Sequence, residues 1–136
     1  MRARWQRHGA VDILDLAALD ALLDHLHNDA ANTGRLIAVS LFHRDPGPVL
    51  TITVGAQHAA AQWSDLPQNN EMTSIANSPT DLSALPGAAD ITIEYGGHPS
   101  TLPARHFIPA ETTRAAARTY FTTGQRPSEI PWPDPP

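Results

Sequence analysis

Leucines recur at helical spacing near the start of the chain. Asp15 is suited to cap a helix, because its carboxylate can accept the backbone N–H groups that a first turn leaves free. The apolar positions that follow it fall on one face of a helix: Leu16, Leu19, Leu22, Leu23 and Leu26. Asp20 and Asp24 fall on the outer face. The pattern predicts an amphipathic helix that ends within the polar residues 28–34.

Apolar runs with strand-like alternation predict the sheet. Two of them flank Arg44-Asp45-Pro46-Gly47-Pro48, whose residue types favour a turn and therefore a hairpin. In a later run, Ile91 and Ile93 face one side while Thr92 and Glu94 face the other. Gly96-Gly97 then turns the chain back. Strands are predicted over residues 2–7, 10–14, 35–43, 49–54, 58–64, 71–76, 90–95 and 98–102.

A second helix is predicted after Pro109, since proline at the first helical position loses no hydrogen bond. Its buried side is expected to carry Ala115, Ala116, Tyr120 and Phe121. Gly124 stands where a left-handed cap ends a helix. Residues 130–136 are expected to form a partly extended, proline-rich tail.

These elements predict an α+β fold in a single domain over residues 1–136. The expected architecture is an antiparallel sheet of about five to seven strands with two helices packed on one face. The helices separate runs of strands instead of alternating with single strands, which disfavours a parallel doubly wound sheet. The longest irregular segment, residues 77–89, is expected to be a functional or mobile loop.

Composition narrows the functional classes. The chain has 9 basic residues, all arginine, against 14 acidic ones, a formal net charge of −5. This balance argues against direct binding of nucleic acid, which needs clustered cations, and is consistent with a basic protein partner. No apolar run follows the basic N-terminal residues, so neither a secretory signal nor a spanning segment is expected. We therefore expect a soluble cytoplasmic protein without membrane contact.

Catalytic and metal-binding patterns are weak. There is no cysteine, and the seven histidines show no metal-ligand spacing; His25 and His27 point in different directions on a helix. No serine lies in a Gly-x-Ser-x-Gly turn. Glu71 and Glu94 could form an acid–base pair, but two solvated strand residues are the simpler interpretation. No catalytic residue, metal or cofactor is therefore predicted.

Two tryptophans stand close to acids. Trp63 precedes Asp65, and Trp132 precedes Asp134. Exposed rings beside carboxylates suit a surface that binds a basic partner, whereas buried rings would close the ends of the sheet. For Trp132 the alternation with Ile130 favours the core. For Trp63 both interpretations stay open.

The C-terminal segment resembles a family of immunity proteins. The resemblance is carried by Thr101-Leu102-Pro103-Ala104, Phe107-Ile108-Pro109, Arg114 and Ala117, residues 120–127 (Tyr-Phe-Thr-Thr-Gly-Gln-Arg-Pro), and Ile130 with Trp132. The leucine-rich first helix and Tyr95-Gly96 are similar to the same family, while residues 57–89 match it poorly. This is the first-numbered immunity family of bacterial polymorphic toxin systems, common in actinobacteria.

The resemblance implies a cytoplasmic antidote. Such a protein neutralises a cognate secreted toxin domain, often a deaminase or nuclease, by direct binding, and its matched residues are scaffold without a catalytic role. We expect occlusion of the toxin's nucleic-acid-acting site, with an acidic surface that competes for a basic cleft. The expected toxin contacts stand at positions predicted to be exposed: Trp63, Asp65, Glu71, Asp81, Asp90 and Glu94.

The alternative function is that of a small enzyme or ligand-binding domain with a pocket between sheet and helices. Converging carboxylates or histidines in a deep polar pocket would favour it. A subunit of a larger structural assembly is a third possibility.

Overall fold

A computed structural model of the chain describes residues 1–5, 9–44, 47–64, 74–75 and 90–132. The strands are β1 (Arg2–Trp5), β2 (Val11–Asp12), β3 (Ile37–Phe42), β4 (Val49–Val54), β5 (His58–Ser64), β6 (Ser74–Ile75), β7 (Asp90–Tyr95), β8 (His98–Pro103) and β9 (Phe107–Pro109). The helices are α1 (Leu16–Thr33) and α2 (Ala110–Thr123), and a 3-10 turn spans Ala104–His106. The predicted α+β class is confirmed.

The sheet is built on four central strands in the order β1-β3-β4-β5, each antiparallel to the next. β2 and β6 extend its two edges. The β7–β8 hairpin joins β3 through a parallel bridge between Ile37 and Glu94, and β9 pairs with the first half of β5. Among the described residues, eight strands share one sheet and β9 forms a separate ladder on β5. Short strands such as β2 and β6 bring the number above the expected five to seven.

Both helices pack on one face of the sheet, as predicted. The inward side chains of α1 (Leu19, Leu23, Leu26 and Ala30) and of α2 (Ala116, Ala117 and Tyr120) share one core cluster with the alternate residues of β3 and β4. The helices also pair with each other at the surface. Arg114 lies 2.8 Å from Asp24 and Arg118 lies 2.9 Å from Asp20. Because the order of the partners is reversed, the two helices run antiparallel. The acids predicted on the outer face of α1 therefore form ion pairs with the arginines of α2.

Helix α1 begins and ends as predicted: it starts after Asp15 and ends at Thr33, within residues 28–34. The Asp15 carboxylate accepts the Ala18 N–H at 2.7 Å. The helix runs to Thr33 because Ala30 is buried in the core, and Gly34 then adopts the left-handed conformation and donates to Ala30 and Ala31. Leu16 is exposed, contrary to its predicted place on the buried face, since it lies at the first turn, beyond the sheet-facing residues.

A second, smaller apolar cluster lies on the other face of the sheet. The side chains of Ile93 and Phe107 pack there against Ala38 and Ala60. Leu36, Ile91 and Leu102 are partly buried against this cluster. The predicted alternation in β7 is confirmed, because Ile91 and Ile93 point toward this cluster and Glu94 points away from it. Apolar packing therefore seats the β7–β8 hairpin on the sheet.

Helix α2 starts one residue later than predicted and is joined to the sheet by Tyr120. Pro109 is the last residue of β9, and the helix begins at Ala110. Ala116 and Tyr120 are buried as expected, whereas Ala115 and Phe121 are half-buried. The Tyr120 hydroxyl donates to the Pro48 carbonyl at 2.6 Å and accepts the His43 N–H at 2.8 Å. One side chain therefore bonds both ends of the β3–β4 connection.

We predict that Tyr120→Phe destabilises the fold by about 1–3 kcal/mol, because it leaves a carbonyl and an N–H without their partner. Tyr95→Phe is the matched control, since Tyr95 is exposed and the same atom is removed. It should change the free energy of unfolding by less than about 0.5 kcal/mol. Urea unfolding of both variants measures the difference; equal effects would contradict the assigned role of the Tyr120 hydroxyl.

The same pair of variants gives a pH signature. Burial raises the pKa of Tyr120 above its usual value of 10.0, and the hydrogen bond from the His43 backbone opposes this more weakly. The unfolded chain therefore ionises first, and the stability that Tyr120 contributes is complete below about pH 10 and declines as the pH rises further. Tyr120→Phe should lose this alkaline decline, whereas Tyr95→Phe should keep it.

Candidate protein-binding surface

The residues predicted to contact a partner fall into three groups. Asp90 and Glu94 lie on β7, within the described structure. Trp63 lies on β5 and is buried. Asp65, Glu71 and Asp81 lie outside the described residues. The structure therefore brings Asp90 and Glu94 together on one strand and separates Trp63 from them.

Trp63 belongs to the core. Its side chain is 4% exposed and its ring stands edge-on to that of Tyr120, with centroids 5.7 Å apart and planes at 87°. Of the two interpretations that the sequence leaves open, the core is confirmed, and the prediction of an exposed position is wrong. The physical reason is the alternation of β5, which turns Ala61 and Trp63 toward the helices.

Trp132 is half-buried against the same core. Its indole N–H donates to the Pro127 carbonyl at 2.7 Å. The guanidinium carbon of Arg126 lies 5.8 Å from the centre of its ring. The predicted packing of Trp132 against the core is thus confirmed, although the side chain is only partly buried.

The outer face of the β7–β8 hairpin presents polar side chains. Asp90 and Thr92 on β7 are exposed, and Thr101, which pairs with Thr92 across the ladder, is exposed as well. Asp90 and Glu94 are four residues apart on this face, which corresponds to about 13 Å along a strand. A two-residue turn, Gly96-Gly97, closes the hairpin with positive φ at both glycines, as a type I′ turn requires.

Glu94 forms an ion pair at the base of the hairpin. Its Oε1 lies 2.9 Å from Nη1 of Arg35, and the two side chains are 22% and 60% exposed, respectively. Its backbone N–H donates to the Leu36 carbonyl at 2.7 Å. Sequence analysis missed this arginine because the contact depends on the parallel bridge between β3 and β7, for which the chain gives no local signal.

Prolines occupy the edge of β8 that has no strand partner among the described residues. Tyr95 and His98 flank the turn as a hydrogen-bonded pair, so the pairs Glu94–Pro99, Thr92–Thr101 and Asp90–Pro103 are the non-hydrogen-bonded ones. The backbone nitrogens of residues 99, 101 and 103 consequently face outward. Two of these three positions are proline and have no N–H to donate. The edge therefore offers a single outward donor, at Thr101.

The corner between β2 and α1 exposes apolar side chains. Leu14 is 87% exposed, and Val11 and Leu16 are each 41% exposed. Asp12 in the same corner pairs with Arg2 at 3.4 Å, and Asp15 caps the helix. The sequence could have indicated that Leu14 is exposed. Leu14 follows the buried Ile13 in an extended segment, so the two side chains point to opposite sides.

The space between sheet and helices is filled by side chains. Tyr120, Leu19, Leu23, Leu50 and Ile52 are fully buried there. A shallow depression lies at the end of the sheet, lined by His43, Arg44, Gly47, Pro48 and Gly124.

Across the part of the chain that the structure describes, no three His, Asp or Glu side chains lie close enough together to hold a metal ion. Neither helix is long and apolar enough to cross a membrane.

The described geometry defines a class of protein: a packed α+β scaffold with exposed polar side chains on the outer face of its β7–β8 hairpin. The family model for the immunity protein Imm1 matches residues 7–134. The chain belongs to this family of immunity proteins, which act against toxins. No curated protein matches the chain significantly.

We predict that Trp63→Ala lowers the free energy of unfolding by about 3–5 kcal/mol, as expected for loss of a buried aromatic side chain. Trp132→Ala is the control, because the same side chain is removed from a half-buried position, and its effect should be smaller. Urea unfolding compares the two variants. An effect of Trp63→Ala no larger than that of Trp132→Ala would contradict the core assignment.

Proposed function

We propose that this protein neutralises a cognate toxin by binding it directly and covering the site at which the toxin acts on nucleic acid. The observation that carries the proposal is the outer face of the β7–β8 hairpin, read together with the family match. This face holds exposed polar side chains on a backbone whose inner side is packed on the sheet. A surface of this kind can dock on another macromolecule with little rearrangement.

The partner we propose is a secreted toxin domain of an actinobacterial polymorphic toxin system, such as a deaminase or a nuclease. An enzyme that acts on nucleic acid needs a positively charged cleft. The formal net charge of −5 on this chain favours approach to such a cleft and raises the rate of association at low salt. The chain itself would bind no nucleic acid, and it would act in the cytoplasm, where the toxin meets its substrate.

The proposed contacts are the predicted acids. Asp90 is exposed on the hairpin and needs no rearrangement to reach a partner. Glu94 lies on the same face, paired with Arg35. Asp65, Glu71 and Asp81 remain proposed contacts from the sequence alone. Trp63 is left out, because a core side chain that is 4% exposed has no contact area to offer.

We propose recognition by side chains instead of strand addition on β8. A peptide that adds to a sheet edge needs alternating donors and acceptors along that edge. Pro99 and Pro103 remove two of the three outward donors of β8. A toxin that meets this hairpin therefore gains most from its exposed face.

Co-expression tests the function. The toxin gene is expected beside the gene for this chain. Cells that express the toxin domain alone should die, and cells that also express this chain should survive. A pull-down of the tagged chain should retain the toxin. Equal killing with and without this chain would contradict the proposal.

We predict that Asp90→Lys slows association with the toxin by roughly three- to tenfold at low salt, because it reverses a charge that faces the basic cleft. The effect should shrink at high salt, where exposed charges are screened. Asp12→Lys is the matched control, since it makes the same change on an exposed strand at the other end of the sheet. Stopped-flow measurement at two salt concentrations separates the variants; equal rates for both would remove Asp90 from the interface.

A further inference from the structure

The Glu94 carboxylate forms an ion pair with the guanidinium of Arg35 within the protein itself. Arg35 follows the left-handed cap of α1, and its backbone N–H donates to the Ala30 carbonyl at 3.0 Å. Its side chain extends through solvent to Glu94, with 2.9 Å between Nη1 and Oε1. Because Glu94 is 22% exposed and Arg35 is 60% exposed, the arginine lies on the solvent side of the pair. The arginine occupies Oε1, so a partner's cation that binds this oxygen has to displace the arginine from it.

The position of the hairpin does not depend on this ion pair. The Glu94 N–H donates to the Leu36 carbonyl at 2.7 Å, and Ile93 is buried against Phe107 on the inner side. Ion pairs as exposed as that of Arg35 contribute little to stability. The Arg35 side chain can therefore swing into solvent while the backbone of α1 and of the hairpin stays in place.

We propose that Arg35 is an internal competitor for the Glu94 carboxylate. It occupies in the free protein the place that a basic side chain of the toxin takes in the complex. This inference rests on the proposed function. If the toxin brings a cation to the outer face of the hairpin, Arg35 either yields its place or remains as a like charge against that cation. Both cases oppose binding, so removal of Arg35 should strengthen it.

The ion pair also has a use in the free protein. Arg35 places a positive charge beside the Glu94 carboxylate and so weakens its attraction for other cations. Arg35 binds Glu94 only weakly, so a ligand that makes further contacts nearby can displace it. Selection of partners then depends on the whole interface instead of on one exposed acid.

The test compares Arg35→Ala with Arg2→Ala. Both variants remove one positive charge from an exposed ion pair, and Arg2 pairs with Asp12 at the other end of the sheet. Affinity for a catalytically inactivated toxin domain is measured by surface plasmon resonance. Arg35→Ala should tighten binding roughly two- to fivefold beyond any effect of Arg2→Ala, a range that corresponds to about 0.4–1 kcal/mol. Arg35→Gln serves if the alanine variant folds poorly.

Glu94→Gln completes a double-mutant cycle. If Arg35 acts through Glu94, its removal should bring no gain in the Glu94→Gln background. Weaker binding by Arg35→Ala would show that the arginine itself contacts the toxin and would overturn the inference. A gain equal to that of Arg2→Ala, or one that persists with Glu94→Gln, would overturn it as well.

Failure of this inference is separable from failure of the proposed function. If the wild-type chain does not bind the toxin, the proposed function fails. If it binds and Asp90→Lys slows association while Arg35→Ala brings no gain, only the competitor role of Arg35 fails.

Discussion

The Tyr120 hydroxyl is the contact on which the arrangement of helix and sheet depends. It bonds the Pro48 carbonyl and the His43 N–H, on either side of the β3–β4 connection, while its ring meets Trp63 edge-on. This side chain of α2 thus ties the helix to both ends of the β3–β4 connection. The cost of an unpaired hydroxyl in an apolar core makes other placements of this helix unfavourable.

The elements that the sequence predicts well are those decided by local patterns. The α1 stripe, the Asp15 cap and the paired strands β3 and β4 follow from residues close in the chain. The end of α1 also follows from a local signal, because Gly34 adopts the left-handed conformation that caps the helix. β9 was not predicted at all: three residues make a strand only because β5 lies beside them. Tertiary pairing of this kind leaves no periodic signal.

In the candidate site, too, local patterns were predictable from the sequence and tertiary pairings were not. That Glu94 faces outward follows from the alternation in β7, which the sequence shows. The pairing of Glu94 with Arg35, 59 residues away, follows from a parallel bridge that no local pattern indicates. Trp63 illustrates the limit of composition, since a tryptophan beside an acid suits a surface and a core equally well. Packing against Tyr120 decided between them.

The prolines at the outer edge of β8 have a consequence for the protein's own behaviour. A protein that neutralises a toxin by binding it, as proposed above, needs its binding face free of other copies. Crowded copies with open strand edges tend to stack into polymers. Pro99 and Pro103 remove two of the three outward N–H donors that such stacking would use. On this edge, the hairpin proposed to meet the toxin therefore has few outward backbone donors for pairing with a second copy.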